Sequence, residues 1–181
     1  MRRGLFSFAD PVYARLSSIG EQRMSKEVLA TIEASASRRV MGTVMLGLTG
    51  CLLVYVAFAA PPSPAWLVFL VVVGAAALWL AVRMWQATVH RIELTAEELR
   101  CSDGQVIARV ADIETIDRGF FAFKPSNGFL IRTGTQGSRA WMPGLWWRSG
   151  RRIGIGGVTP GSQGKAMSEI LAAMLVQRGQ G

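Results

Sequence analysis

Chemistry in this chain would have to come from one histidine, two cysteines and a glycine-rich run that ends in a lysine. His90 has no second histidine or cysteine at metal-ligand spacing, so neither a zinc site nor a hydrolase triad can be assembled from the sequence. It reads as a residue near lipid headgroups at the root of a strand. Cys51 lies inside an apolar run and Cys101 in a polar part, so the two do not pair. The run Gly154-Ile155-Gly156-Gly157-Val158-Thr159-Pro160-Gly161-Ser162-Gln163-Gly164-Lys165 fails the phosphate-loop pattern twice: Thr159 stands five residues before Gly164, and Ala166 replaces the magnesium-binding hydroxyl. A third glycine at 159 is missing for the dinucleotide pattern, and the run reads as a tight strand-to-helix turn. Asp112, Glu114 and Asp117 read as solvated charges balancing Arg109 and Arg118. These residues designate no catalytic, cofactor-binding or metal position and point away from an enzyme.

Interaction chemistry is better represented. In Arg139-Ala140-Trp141-Met142-Pro143-Gly144-Leu145-Trp146-Trp147-Arg148, three tryptophans crowd a stretch broken by Pro143-Gly144, and Arg151 and Arg152 follow. Trp and Arg concentrate binding energy at interfaces and favour the headgroup region of membranes. Trp141, Trp146, Trp147, Arg148, Arg151 and Arg152 therefore either form a docking patch, or divide into tryptophans that fill a core and arginines that stay solvated.

Two apolar runs position everything else. Val40 to Ala60 carries no charge over 21 residues, roughly 30 Å of helix, which is the thickness of a bilayer's hydrocarbon core. Ala65 to Val82 is also uncharged, and Arg83, Met84 and Trp85 follow where the chain regains water. Pro61-Pro62-Ser63-Pro64 is the only link between them, which requires an antiparallel hairpin. Small residues at Thr43, Gly47 and Cys51 on one helix and Gly74, Ala77 and Ala81 on the other are expected to close that hairpin on itself, with self-association the other use of such stripes. Neither run holds an Asp, Glu, Lys, Arg or His in its interior, which argues against transport.

Net charge is +3 ahead of the hairpin (seven basic, four acidic) and +5 after it (thirteen basic, eight acidic). By the positive-inside rule both ends face the cytoplasm. The same rule, with attraction to anionic headgroups, accounts for the net +8 without nucleic acid. Ahead of the first run, Ser18-Ile19-Gly20-Glu21 matches a capping box, and Met24, Val28, Leu29 and Ile32 recur at helical spacing, predicting an amphipathic helix from about Glu21. Ala57-Phe58-Ala59 resembles a signal-cleavage site, but the 39 residues before the run and the second run behind it argue against cleavage.

After Trp85 the period changes to two. His90, Ile92 and Leu94 alternate with Val89, Arg91, Glu93 and Thr95; Leu99 to Cys101 continues; Ser102-Asp103-Gly104 signals a hairpin; Val106, Ala108 and Val110 return. Further strands are expected over Glu114 to Phe123, Phe129 to Thr133, Ser138 to Trp147 and Arg151 to Val158. Thr159 is a candidate N-cap, Pro160 opens a helix, and Met167, Ile170, Leu171, Met174 and Leu175 give it an apolar face before Gly179.

The meander Arg91 to Val110, the Ala111-Asp112-Ile113 step to Ile116, and the closing strand and helix from Ile153 to Leu175 resemble the bacterial pleckstrin-homology-like (PH-like) membrane proteins, in which a hydrophobic hairpin precedes a small cytoplasmic domain. That resemblance implies an α+β fold: a transmembrane α-hairpin followed by a small antiparallel β-barrel capped by a C-terminal helix. It also implies a non-catalytic scaffold or accessory subunit that holds partners at the inner membrane, where some similar proteins help assemble membrane complexes, photosynthetic ones included. One departure is the loop Thr95-Ala96-Glu97-Glu98, whose carboxylates repel the phosphates that lipid-binding relatives hold there. The expected organisation is an N-terminal cytoplasmic arm and juxtamembrane helix (1–39), a transmembrane hairpin (40–85) and a cytoplasmic PH-like domain (86–181). The expected partners are an integral membrane protein complex and the bilayer, or, if the domain senses lipid, headgroups alone.

Overall fold

In the computed structural model, which describes residues 27–60, 62–117 and 125–179, a short strand β1 (Ala30–Glu33) leads into helix α1 (Ala36–Ala59), helix α2 (Pro64–Ala87) returns, and strand β2 (Arg91–Leu94) follows. β3 (Glu98–Cys101), β4 (Val106–Arg109), a single 3-10 turn (Val110–Asp112), β5 (Ile113–Asp117), β6 (Phe129–Met142), β7 (Trp146–Ile155) and helix α3 (Gly161–Gly179) complete the described chain. The capping box at Ser18 to Glu21, Met24, and the far half of the strand expected to end at Phe123 lie outside the described residues.

α1 and α2 are each 24 residues, with mean hydropathies of 2.0 and 2.5, long and apolar enough to cross a membrane. Pro64 opens α2 at a position where a missing N–H costs nothing. The helices meet at Gly50 and Gly74: a Cβ on Gly50 would lie 2.9 Å from the Gly74 carbonyl oxygen, and one on Gly74 would lie 3.1 Å from that of Gly50. Such close backbone approach is what association in lipid requires. Ala57, Ala81 and Met84 continue the seam, all buried. The expected stripe is corrected on α1: Gly47 has nothing near its Cβ position and Cys51 is exposed, because the seam passes through Gly50 instead. On α2, Gly74 and Ala81 are buried as a seam requires, and Ala77 is half-buried.

The helix expected through Val28, Leu29 and Ile32 is also corrected. Ala30–Glu33 is a strand paired antiparallel with β2, Ile32 opposite Ile92 and Glu33 opposite Arg91. Ile32 is fully buried, and about 1.5–3 kcal/mol of apolar burial accompanies it. The sheet thus uses residues from both sides of the hairpin, and a folded unit confined to 86–181 would lack its first strand. β1 to β4 form one sheet in sequence order and β5 to β7 a second. These are two sheets, four-stranded and three-stranded, in place of the expected closed barrel. Between them sit Ile92, Leu94, Leu99, Ile107, Phe129, Ile131, Trp146 and Ile153, with Met167 and Leu171 of α3 closing the core. α3 also lies along β1, where the Gln163 side chain accepts a 3.0 Å hydrogen bond from Glu33 N, so the sheet edge is covered.

β6 is one strand of 14 residues, not the two short ones expected, and the chain reverses at Pro143–Leu145. Trp141 consequently faces Trp147 across the β6–β7 ribbon, and Met142 faces Trp146. Thr159 does not cap α3: its hydroxyl is buried and has no hydrogen-bond partner among the described residues.

Candidate functional site

The surfaces that carry chemistry meet at the foot of the helical hairpin. Only Ala34 and Ser35 separate β1 from α1, and Ser35 N donates to the Val158 carbonyl at 2.9 Å. Arg38 donates to the Thr159 carbonyl at 2.9 Å. The Arg39 guanidinium lies 3.9 Å from the Trp85 ring centroid and donates to the Trp85 carbonyl, tying α1 to α2 through a cation–π contact and a hydrogen bond. Thr88 ends α2 by donating its hydroxyl to the Met84 carbonyl at 2.7 Å. Gly144 holds the β6–β7 turn against this foot with φ +83, a left-handed conformation, and a side chain there would meet Thr88 at 3.2 Å.

Beside this junction opens a recess of about 220 Å³, lined by Arg83, Gln86, His90, Trp141, Met142 and Pro143. Register explains the neighbours of His90. Ile92 pairs with Cys101, and the Ser102 N–H donates to the Arg91 carbonyl at 2.9 Å, so the β3–β4 turn sits beside the start of β2. One ligand atom each from His90, Cys101 and Asp103 lies within 4.8 Å of the others. The Cys101 thiol points at the Met142 thioether, sulfur to sulfur 3.9 Å. Burial pushes the Cys101 thiol above its ordinary pKa, with the nearby Asp103 a smaller influence. The expectation that His90 has no metal-capable neighbour is therefore corrected: the spacing missed a set that hairpin register assembles. The signal was present in Thr95-Ala96-Glu97-Glu98, because the turn there pairs β2 with β3 in the register that places residue 103 opposite residue 90.

The six-residue docking patch does not form one surface. Trp146 is 2% exposed and belongs to the core, which removes it from any docking role in the folded protein. Trp147 is half-buried across the bare backbone of Gly154, where a Cβ would fall 2.4 Å from the indole. Arg148 donates to the carbonyls of Ile107 at 3.0 Å and Gly150 at 3.2 Å, so it links β4 of one sheet to β7 of the other. Arg151 donates to the Gly134 carbonyl and lies 4.0 Å from Glu114. Arg152 is exposed across the ribbon from Arg132. Trp141, half exposed on the rim of the recess, is the tryptophan of the three that stays available. Glu114 also approaches Arg132 at 4.0 Å, so among the described residues it faces Arg132 and Arg151, whereas Arg118 of the expected balance lies outside the described residues. In the glycine-rich run, a Cβ on Gly157 would lie 2.5 Å from the Gly144 carbonyl oxygen, which is the close backbone packing of a tight turn.

Comparison with protein-family models, with curated proteins and with solved structures returned no match to this chain.

Proposed function

We propose that the chain is a non-catalytic accessory or assembly component of a larger integral membrane protein complex, held in the bacterial inner membrane by α1 and α2. On this reading both termini and the β-domain lie in the cytoplasm, and the domain is PH-like and makes protein–protein contact. One observation carries the reading: the hairpin grows out of the sheet with only Ala34 and Ser35 between β1 and α1, so helices and domain form one stiff unit suited to holding a partner at a fixed height. Exposed Trp66 and Trp85 stand 19 residues apart on α2, about 28 Å at 1.5 Å per residue, as two interfacial belts would. Four strands, three strands and a terminal helix also suit the PH-like order, and the charge distribution supports the orientation.

Gentle-detergent purification of the tagged full chain from native membranes tests this. An integral membrane partner should co-elute at constant ratio and be lost from the Trp141→Ala, Arg152→Glu double variant; a chain that elutes alone ends the proposal. Lipid-headgroup sensing is the second reading, favoured by Arg83 and Trp85 around the hairpin foot. Nanodiscs separate the two: sensing requires that anionic lipid change domain protection from hydrogen exchange, whereas a scaffold is indifferent to it.

A further inference from the structure

We propose that His90, Cys101 and Met142 bind a soft metal ion, Cu(I), at the foot of the hairpin. The proposal is independent of the accessory role. Two sulfurs bound to one ion at about 2.3 Å each, with a tetrahedral angle between them, stand about 3.8 Å apart. Cys101 Sγ and Met142 Sδ are already 3.9 Å apart although they come from different sheets, β3 and β6. The ligand atoms of His90 and Cys101 lie within 4.8 Å of each other, with a carboxylate oxygen of Asp103 equally near, so a side-chain adjustment brings the imidazole onto the sulfur pair. The backbone that carries them is fixed: Asp103 Oδ1 accepts from Gln105 N at 2.9 Å, and the Ser102 hydroxyl accepts from Arg91 N at 3.2 Å.

The donor set selects the ion. Thiolate and thioether together favour Cu(I), imidazole suits it, and Mg²⁺ and Ca²⁺ would take oxygen instead. Zinc accepts thiolate, imidazole and carboxylate but gains nothing from the thioether. Cys101 is 1% exposed, so a bare thiolate there would be a buried unpaired charge. A Cu(I)–thiolate pair is neutral, and exposed Asp103 keeps its own charge in water. On binding, the Cys101 S–H bond breaks, the Cu–S bond forms, the proton goes to solvent and copper stays Cu(I). Entry is by the recess, whose wall includes both His90 and Met142.

Anaerobic titration of the full chain in detergent with Cu(I), in competition with the chromophoric chelator bicinchoninate, tests the site. One ion per chain is expected, retained by Cys51→Ser and weakened at least tenfold by Cys101→Ser. Met142→Leu should weaken Cu(I) about tenfold and leave Zn(II) binding unchanged, and copper X-ray absorption should show two sulfur neighbours. Wild type that competes no better than Cys101→Ser overturns the site. Zn(II) bound more tightly than Cu(I), with Met142→Leu inert toward both, overturns the copper assignment. Should Cys101→Ser fail to fold by circular dichroism, His90→Ala and Met142→Leu decide, because loss of affinity in neither refutes the proposal.

Discussion

Neighbouring tryptophans take opposite fates here, and nothing in their chemistry distinguishes them in advance. Trp146→Ala should cost about 3–5 kcal/mol, because it empties the space between two sheets. Trp141→Ala should stay within about 0.5 kcal/mol, as exposed positions do. Urea unfolding of the detergent-solubilised protein checks both. Cys101 gives a pH signature. Its raised thiol pKa means that its contribution is complete below the unfolded thiol's ordinary value and is lost as pH rises from there toward the folded value. With metal chelated, stability at pH 9.5 should fall below that at pH 7, and Cys101→Ala should lessen the drop; equal drops in both proteins would remove this cause. At this scale the sequence shows which residues are rich in interaction chemistry but not which way they face. Arg148 looked like a surface cation because its acceptors, the carbonyls of Ile107 and Gly150, are backbone groups that only the fold brings near.

Elements were legible in proportion to how much of their pattern is local. Both long helices follow from composition, and the structure extends them a few residues beyond the apolar runs to Ala36 and Ala87. β2, β3 and β4 follow from alternation and from Ser102-Asp103-Gly104. β1 was misread because Val28, Leu29 and Ile32 satisfy a helical period too, and the deciding partner, β2, lies beyond the whole hairpin. The seam was misread by one helical face for a similar reason: Gly47 and Gly50 are equally small, and only packing against Gly74 separates them. Gly50→Ile should therefore lower the melting temperature of the detergent-solubilised protein by several degrees, whereas Gly47→Ile should leave it unchanged. Equal effects would place the seam elsewhere.

For the molecule as a whole, the decisive feature is that the β-domain is discontinuous in sequence. A fragment of residues 86–181 loses β1, leaving β2 without its outer neighbour and the core without Ile32. It should aggregate in gel filtration, whereas a chain joining residues 27–35 to 88–179 through a short glycine turn should elute as a folded monomer. The reverse result would mean that β1 is dispensable. This discontinuity also bears on biogenesis. The ribosome releases β1 first and β2 only after both apolar helices, so the sheet stays unfinished until both helices have been synthesised. On the proposed membrane placement, inserting only one helix would strand Glu33 and Arg91 on opposite sides of the bilayer, where β1 and β2 cannot pair.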